Sequence, residues 1–219
     1  MRSDVAAYLE GWLGDNPFPE QCKPSCYYLE KMQAFEAEPR RKGCTVMLGD
    51  SITDFADWDV LFPGCNVINR GIAGDFVEGI ILRLDEVASN GPSQVYFLAG
   101  CNNFVKGRTN TPEDVEESLA ECFSAFREKM PDTVLHVQSL LPMNPVAADW
   151  TEHYNDDVKR VNAWLIANQA TYDYDYIDIA APMTDAEGNL RRDFTEDGCH
   201  PNDAAYAVWA GLIKDNIKK

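Results

Sequence analysis

The sequence predicts an α/β fold in which helices cover both faces of a single parallel sheet. Five short runs of apolar and β-branched residues are each typical of a buried strand, at 44–48, 65–69, 94–99, 133–139 and 174–179. Segments with helical periodicity separate these runs, so that strands and helices alternate as in β-α-β units. The chain of 219 residues shows no internal repeat and no linker composition, which favours one domain.

Helical segments fill the intervals between the predicted strands. Apolar residues recur at helical spacing in 76–88 and in 112–130. The second of these opens with Thr111-Pro112-Glu113-Asp114, a capping signal with proline at the first helical position. Residues 1–25 are expected to form an irregular extension before a single domain at 26–219. Further helices are predicted at 26–38, 152–169 and 203–217.

The charge and composition exclude several classes of partner. The chain has 19 basic and 36 acidic residues and a net charge of −17, which repels nucleic acid and anionic lipid headgroups. No run of about 18 apolar residues is present, so no membrane-spanning helix is predicted. The first residues are partly acidic where a signal peptide has an apolar core, so a cytoplasmic location is expected.

The cysteine usage favours a reducing compartment. The count of seven is odd, and Cys44, Cys65 and Cys122 lie within apolar patterns, where cysteine behaves as a small hydrophobic residue. Cys22 and Cys26 are close enough in sequence to suggest a pair of metal ligands, but no neighbouring histidine completes a site. No structural metal is therefore expected.

The end of the first strand is the strongest single indication of function. Ligands of parallel α/β sheets bind outside the carboxyl ends of the strands, and this strand ends abruptly at Gly49-Asp50-Ser51. A serine hydroxyl at such a turn is exposed and lies beside the N–H groups of a helix start, which favour negative charge. Ser51 therefore has the setting of a nucleophile, and the alternative is that it only caps the helix.

Two further strand ends carry groups that can donate hydrogen bonds to an oxyanion. Gly71, in the segment 69–75, can present an unobstructed main-chain N–H, and Asn102, in 97–104, has a side-chain amide. With the N–H of Ser51 they would supply three donors. Taken singly, Gly71 is better explained as a turn glycine and Asn102 as a loop cap.

His200 is the candidate general base among the three histidines. It lies in the polar loop 197–202 shortly after Asp197, which can hold the second ring nitrogen in the right tautomer. His136 lies within an apolar strand and is predicted to be a core or edge residue. His153 is predicted to be a solvated residue at a helix start.

Four sequence blocks together resemble the signature blocks of the SGNH, or GDSL-type, esterase family. They are GDS (49–51), NRGIAGD (69–75), GCNN (100–103) and DGCHPN (197–202), in the order of the family. The resemblance covers about residues 28–216 and implies a flavodoxin-like three-layer α/β/α sandwich with a five-stranded parallel sheet. The third block of the family usually reads G-x-N-D. Here Asn103 replaces the aspartate, which puts the hydrogen bonds of that loop and the orientation of Asn102 in question.

The resemblance also implies a mechanism. Ser51 would be the nucleophile, His200 the base and Asp197 the acid that orients the base. The N–H groups of Ser51 and Gly71 and the amide of Asn102 would form the oxyanion hole. Esters would then be hydrolysed through an acyl-enzyme without a metal or an organic cofactor.

The expected substrate is a small-molecule or carbohydrate ester with a short acyl group, preferably acetyl. The loops that would bear the site, 108–114, 147–157 and 191–198, are polar and offer no aliphatic surface for a long acyl chain. Four aromatic residues near them could stack on a sugar ring or belong to the core: Trp58, Phe104, Trp150 and Tyr154. The residues expected at a substrate pocket are Asp50, Trp58, Arg70, Cys101, Asn103, Met143, Asn144 and Cys199.

A carbohydrate O-acetylesterase is therefore the first hypothesis. The second is a lipid-active esterase, similar to platelet-activating-factor acetylhydrolases, lysophospholipases or thioesterases. A third is a non-catalytic binding module on the same fold, although the presence of Ser51, Asp197 and His200 together argues against it. Neither nucleic acid nor a membrane is an expected partner, and no pattern indicates an oligomeric state.

Overall fold

The five predicted strands form one sheet. The computed structural model describes residues 26–105, 111–145 and 154–217. Its strands lie in the order β2-β1-β3-β4-β5, and every neighbouring pair is parallel. The strands are β1 (Thr45–Gly49), β2 (Val67–Gly71), β3 (Gln94–Leu98), β4 (Val134–Gln138) and β5 (Asp175–Ile177). The predicted fold class is confirmed.

Two strand boundaries differ from the prediction for local reasons. Strand β2 begins later than predicted because the N–H of Cys65 closes a turn on the carbonyl of Phe62 at 3.1 Å. Strand β5 ends earlier because the N–H of Ile179 donates to the Ser139 hydroxyl at 2.9 Å instead of to a neighbouring strand. Both departures replace a ladder hydrogen bond by a turn or side-chain bond, which hydrophobic patterning does not reveal.

Helices cover both faces of the sheet. The long helices agree with the predicted segments, whereas α2, α3, α5 and α8 are too short to show a helical period. The helices are α1 (Cys26–Ala37), α2 (Ser51–Asp54), α3 (Trp58–Leu61), α4 (Val77–Ser89), α5 (Cys101–Val105), α6 (Pro112–Lys129), α7 (Tyr154–Ala167), α8 (Gln169–Tyr172) and α9 (Asp203–Ile213). Short 3₁₀ helices occupy Ala181–Met183, Arg192–Phe194 and Lys214–Asn216.

The core is divided by the sheet into two apolar layers. On one face Phe97 of β3 packs edge-on against Phe123 of α6. On the other face the indole N–H of Trp209, in α9, donates to the side chain of Gln138 in β4 at 2.5 Å. All five residues of β1 are buried, as expected for a central parallel strand that is covered on both faces. None of the helices in the described ranges is long and apolar enough to cross a membrane.

The register of the sheet determines where the site forms. Gly49 at the end of β1 pairs with Gly71 of β2 on one side and with Leu98 of β3 on the other. The three strands therefore end at the same edge of the sheet. The chain segments that follow them lie together there, at the point where the strand order reverses.

Candidate active site

Ser51 is the first residue of α2 and lies directly after β1. Asp50 caps this helix, because its Oδ1 accepts the N–H of Ile52 at 3.0 Å. The main-chain N–H of Ser51 belongs to the first turn, whose donors have no partner within a helix. Its side-chain Oγ lies 3.0 Å from Nε2 of His200. The hydroxyl thus lies within hydrogen-bond distance of a ring nitrogen that can accept its proton.

His200 is held by Asp197 through both its side chain and its main chain. Asp197 Oδ2 lies 2.6 Å from His200 Nδ1. The other carboxylate oxygen, Oδ1, accepts the main-chain N–H of Cys199 at 2.9 Å and of His200 at 2.8 Å. This turn is tied to the segment after β4, since the N–H of Asn144 donates to the carbonyl of Gly198 at 2.7 Å.

The environment of Asp197 keeps its carboxylate charged. Burial alone would raise the pKa of this group, but the hydrogen bonds from the His200 ring and from the N–H groups of His200 and Cys199 hold the pKa well below its ordinary value. A charged carboxylate fixes the proton of the imidazole on Nδ1 and leaves Nε2 to face Ser51. The predicted nucleophile, base and acid are thus brought together in the expected geometry.

Asn102 lies in α5, directly after β3, and is buried. Its side-chain Nδ2 donates to the main-chain carbonyl of Asp75 at 2.9 Å. An amide nitrogen carries two hydrogens, so this bond orients the amide and uses one of them. Asn102 is therefore connected to the turn after β2, on the opposite side of β1 from its own strand.

Asn103 has its own set of hydrogen bonds. Its Oδ1 accepts the N–H of Val77 at 3.2 Å, and its Nδ2 donates to the Glu78 carboxylate at 3.1 and 2.9 Å. Glu78 also accepts the Ser118 hydroxyl at 2.6 Å. Asn103, in α5, is thus buried against the start of α4 and is not exposed to a substrate. Its amide keeps the loop bonded, and Asn102 is oriented by its own hydrogen bond to Asp75.

The prediction that Gly71 is an oxyanion donor is contradicted by its hydrogen bonding. The N–H of Gly71 donates to Oδ1 of Asn69 at 2.8 Å. Gly71 needs to be glycine for another reason: a Cβ atom there would lie 2.2 Å from the main-chain nitrogen of Asp54. Gly71 therefore allows β2 and α2 to approach closely, and the turn that Asn102 contacts is the one at Asp75.

A sequence model of the GDSL-like Lipase/Acylhydrolase family matches residues 47–208, which include Ser51, Asn102, Asp197 and His200. The chain belongs to this family. It is accordingly a serine ester hydrolase, and the resemblance seen in the four sequence blocks is confirmed. No curated protein matches the chain significantly in sequence.

Several solved structures share this fold. A candidate acylhydrolase from Bacteroides fragilis aligns with a TM-score of 0.75 and 20% identity over 88% of this chain and 97% of its own. A GDSL-like lipase from Bacteroides thetaiotaomicron aligns with a TM-score of 0.72 and 21% identity over 86% of this chain and 96% of its own. A protein from Streptococcus pneumoniae, described as a candidate platelet activating factor, aligns with a TM-score of 0.73 and 20% identity over the full length of both chains. At these identities the likeness establishes the fold alone.

Three of the four aromatic residues expected near the substrate of this GDSL-type hydrolase belong to the core instead. Trp58 stacks on Phe62 and meets Trp209 edge-on, and its indole N–H donates to the carbonyl of Thr53 at 3.0 Å. Phe104 and Tyr154 are buried against each other. Trp150 lies outside the described residues. Large aromatic rings bury more surface than any other side chain, and here that burial stabilises the core.

Arg70 is also committed to structure. Its Nε donates to the Glu86 carboxylate at 3.1 and 3.0 Å, and its Nη2 lies 2.9 Å from Glu38. The guanidinium stacks over the ring of Phe35 at 4.4 Å. Arg70 therefore fixes α1 and α4 to β2 and does not reach Ser51 as a substrate ligand.

The remaining predicted pocket residues are mostly buried. Asp50 is buried, and its Oδ2 accepts the thiol of Cys101 at 3.1 Å. Burial raises the pKa of Cys101 well above its usual range and that of Cys199 to about 12, which disfavours the thiolate form of both. Met143 and Asn144 are buried, and the amide of Asn144 donates to the carbonyl of Leu190 at 2.7 Å. These residues support the loops of the site.

Phe55 is the aromatic residue that the sequence did not single out. Its ring centroid lies 5.1 Å from that of His200, and the residue is 56% exposed. Phe55 also lines a cavity of about 590 Å³ at the outer edge of β2, together with Asp57, Asp59 and Asn69. Trp58 and Arg70 belong to the same wall but are only 3% and 1% exposed. A single phenylalanine outside any periodic pattern gives no sequence signal.

His136 lies within the sheet and does not contact the triad. His136 is buried in β4 and stacks on Tyr96, as predicted for a core or edge position. His153 lies outside the described residues. Within the described ranges, no three His, Cys, Asp or Glu side chains are arranged to hold a metal ion.

Proposed function

We propose that the protein hydrolyses acetyl esters of carbohydrates through an acyl-enzyme on Ser51. The observation that carries the catalytic part is the continuous chain of hydrogen bonds from Asp197 through His200 to the Ser51 hydroxyl, at 2.6 and 3.0 Å. A nucleophile, a base and an orienting acid in this order are the needs of acyl transfer.

The reaction begins with attack of Ser51 Oγ on the ester carbonyl while His200 Nε2 takes the hydroxyl proton. The N–H of Ser51 and the second amide hydrogen of Asn102 stabilise the negative charge on the carbonyl oxygen. When the C–O bond of the ester breaks, His200 returns the proton to the leaving alcohol. Water then attacks the acyl-enzyme with His200 again as base, which releases the acid and restores Ser51.

The proposed substrate class rests on the surroundings of Phe55. An exposed aromatic face beside His200 offers a stacking surface for a sugar ring. Asp57 and Asp59, which line the neighbouring cavity, offer carboxylate acceptors for sugar hydroxyls. A cavity of about 590 Å³ is of the size that ligand pockets usually have. The alcohol half of the substrate would lie there.

The catalytic part is tested by Ser51→Ala with p-nitrophenyl acetate as substrate. The variant should lose activity by several orders of magnitude and keep the thermal unfolding of the wild type, because alanine at the first position of α2 removes only the hydroxyl that faces His200. Activity within about tenfold of wild type would reject Ser51 as the nucleophile. Wild-type protein that does not hydrolyse simple acetyl esters would favour the non-catalytic binding module.

The substrate class is tested with a panel of O-acetylated sugars and with nitrophenyl esters from acetate to decanoate. Acetate should give the highest kcat/KM, and an acetylated sugar should exceed nitrophenyl acetate. Phe55→Ala should raise KM for the sugar ester, while Val60→Ala, an exposed apolar control on α3, should not. A steady rise of kcat/KM toward decanoate would overturn the carbohydrate proposal in favour of a lipid-active esterase.

A further inference from the structure

Arg83 of α4 is a buried charge that the mechanism described above does not use. The residue is 1% exposed, and its guanidinium donates to three acceptors. Nε donates to Asp75 Oδ2 at 2.9 Å, Nη1 to the carbonyl of Arg70 at 2.8 Å and Nη2 to the carbonyl of Gly49 at 2.9 Å. One planar group therefore connects three separate chain segments.

Two of these contacts lead to candidate catalytic groups. Gly49 is the last residue of β1, two positions before Ser51, and Arg70 lies at the end of β2. Asp75 lies in the turn after β2, and its main-chain carbonyl accepts the Asn102 amide at 2.9 Å. Arg83 thus contacts the strand that carries the nucleophile and, through Asp75, the group that orients Asn102.

The space that the Asp75 carboxylate occupies depends on a glycine in α4. A Cβ atom at position 79 would lie 1.9 Å from Asp75 Oδ1, so the glycine there leaves room for this side chain. The same Oδ1 accepts the N–H of Phe76 at 3.0 Å, which fixes the carboxylate in the turn. Asp75 is therefore held from three sides, by Arg83, by Phe76 and by its main-chain bond to Asn102.

A buried ion pair is a poor source of stability, because removing two charges from water costs about as much as their attraction returns. The planar, fork-shaped guanidinium of Arg83 is instead suited to fixing the positions of its three acceptors. We propose that Arg83, acting through Asp75, is a positioning residue that sets the distance between the Asn102 amide and Ser51. This inference rests on the proposed function, in which Asn102 stabilises the oxyanion.

The test is a double-mutant cycle with Arg83→Lys and Asn102→Ala. Lysine keeps the charge but cannot donate to three acceptors in one plane. Two readouts are used: kcat and KM for p-nitrophenyl acetate, and the rate at which a fluorophosphonate labels Ser51. In the second reaction the Ser51 Oγ–P bond forms, fluoride leaves and the phosphoryl oxygen occupies the oxyanion position. Labelling therefore reports on the site without requiring the natural substrate.

Arg127→Lys is the matched control. Arg127 also donates to three acceptors, the main-chain carbonyls of Tyr172, Thr133 and Asp173, but it lies where β4 and β5 begin, far from Ser51. The Arg127→Lys variant should have a lower thermal unfolding temperature than the wild type, with unchanged kcat and labelling rate. Arg83→Lys should lower kcat and the labelling rate by about 10–100-fold, with little change in KM.

The proposal requires that the effect of Arg83→Lys nearly disappear in the Asn102→Ala background, since the group it positions is then absent. Equal fold-losses in both backgrounds, or unchanged kcat in Arg83→Lys, would overturn it while leaving the proposed function intact. Wild-type protein that is not labelled at Ser51 would overturn the proposed function as well. If Arg83→Lys does not fold, Asp75→Asn gives the same cycle, because it keeps the acceptor for Phe76 and removes the charge.

Discussion

At the scale of single residues, Asn103 shows how one amide can be matched to its neighbours. An aspartate is usual at this position of the family, but here the side chain donates to Glu78 and accepts from Val77. An aspartate could still accept from Val77, but it would then face the Glu78 carboxylate at about 3 Å, where two negative charges repel. The amide of Asn103 is therefore matched to the Glu78 carboxylate, which accepts its hydrogen bond.

This pairing predicts that Asn103→Asp destabilises the protein by about 1–3 kcal/mol at pH 8, as expected for a buried group that loses its partner. Adding Glu78→Gln should restore most of the loss, because the glutamine amide can donate to the introduced carboxylate in the reverse sense. Urea unfolding of both variants and of Glu78→Gln alone measures the effect. A double variant as unstable as the sum of the two single ones would contradict the pairing.

A second residue-scale prediction concerns Asp197. Asparagine at this position keeps the size of the side chain but presents an N–H to the ring, which places the imidazole proton on the wrong nitrogen. In a different serine hydrolase the corresponding change lowers kcat about 10⁴-fold, and Asp197→Asn should have an effect of similar order here. Asp193→Asn is the control, since Asp193 lies in the same loop and pairs with Arg191. Comparable losses in both variants would mean that the loop, not the triad, is perturbed.

The predicted site residues that the structure brings together are those whose positions are fixed by chain topology. Ser51 directly follows β1, and His200 lies in a polar loop. Both lie at the carboxyl edge of the sheet, where the ends of parallel strands come together. The role of Gly71 could not be predicted, because it depends on whether the Asn69 side chain accepts its N–H. The same holds for Trp58, whose burial depends on the rings of Phe62 and Trp209 around it.

At the scale of elements, two glycines decide how closely α2 can approach the sheet. A Cβ atom at Gly49 would lie 2.2 Å from the Leu98 carbonyl and 2.3 Å from the Thr53 hydroxyl. At Gly71 the obstacle is the main chain of Asp54, which cannot rotate away as a side chain can. Helix α2 has only four residues and no hydrophobic period, so its position depends on these contacts and not on its own sequence.

Gly71→Ala should therefore push α2 away from β2 and displace Ser51 with it. We expect a loss of about 1–3 kcal/mol in unfolding free energy, as for other overpacked sites, together with a marked fall in kcat. Gly211→Ala is the control, because nothing lies within 4 Å of a Cβ atom at that position of α9. It should stabilise the protein by up to about 1 kcal/mol with unchanged kcat. Wild-type stability and activity in Gly71→Ala would refute the close approach.

At the scale of the whole molecule, two carboxyl groups have pKa values shifted in opposite directions. Burial raises the pKa of Asp75 from 3.8 to about 6, although Arg83 and the N–H of Phe76 act to lower it and Asp50 adds a smaller repulsion. Its contribution to stability is thus fully present below about pH 3.8 and is lost as the pH rises through about 6. Asp197 behaves in the reverse way, because its pKa is lowered in the folded state. Its contribution is present above about pH 3.8 and is lost as the pH falls toward its lower folded pKa.

The two pH windows do not overlap, so each group can be measured against its own variant. Urea unfolding of the wild type, Asp75→Asn and Asp197→Asn between about pH 3 and pH 8 should separate them. The difference in unfolding free energy between wild type and Asp75→Asn should fall by up to about 1.4 kcal/mol for each pH unit between about 4 and 6. The difference between wild type and Asp197→Asn should stay constant there and shrink only below about pH 4. A wild-type advantage over Asp75→Asn that is independent of pH would mean that Arg83 keeps the Asp75 carboxylate charged, because only a proton taken up by the folded state can produce that slope.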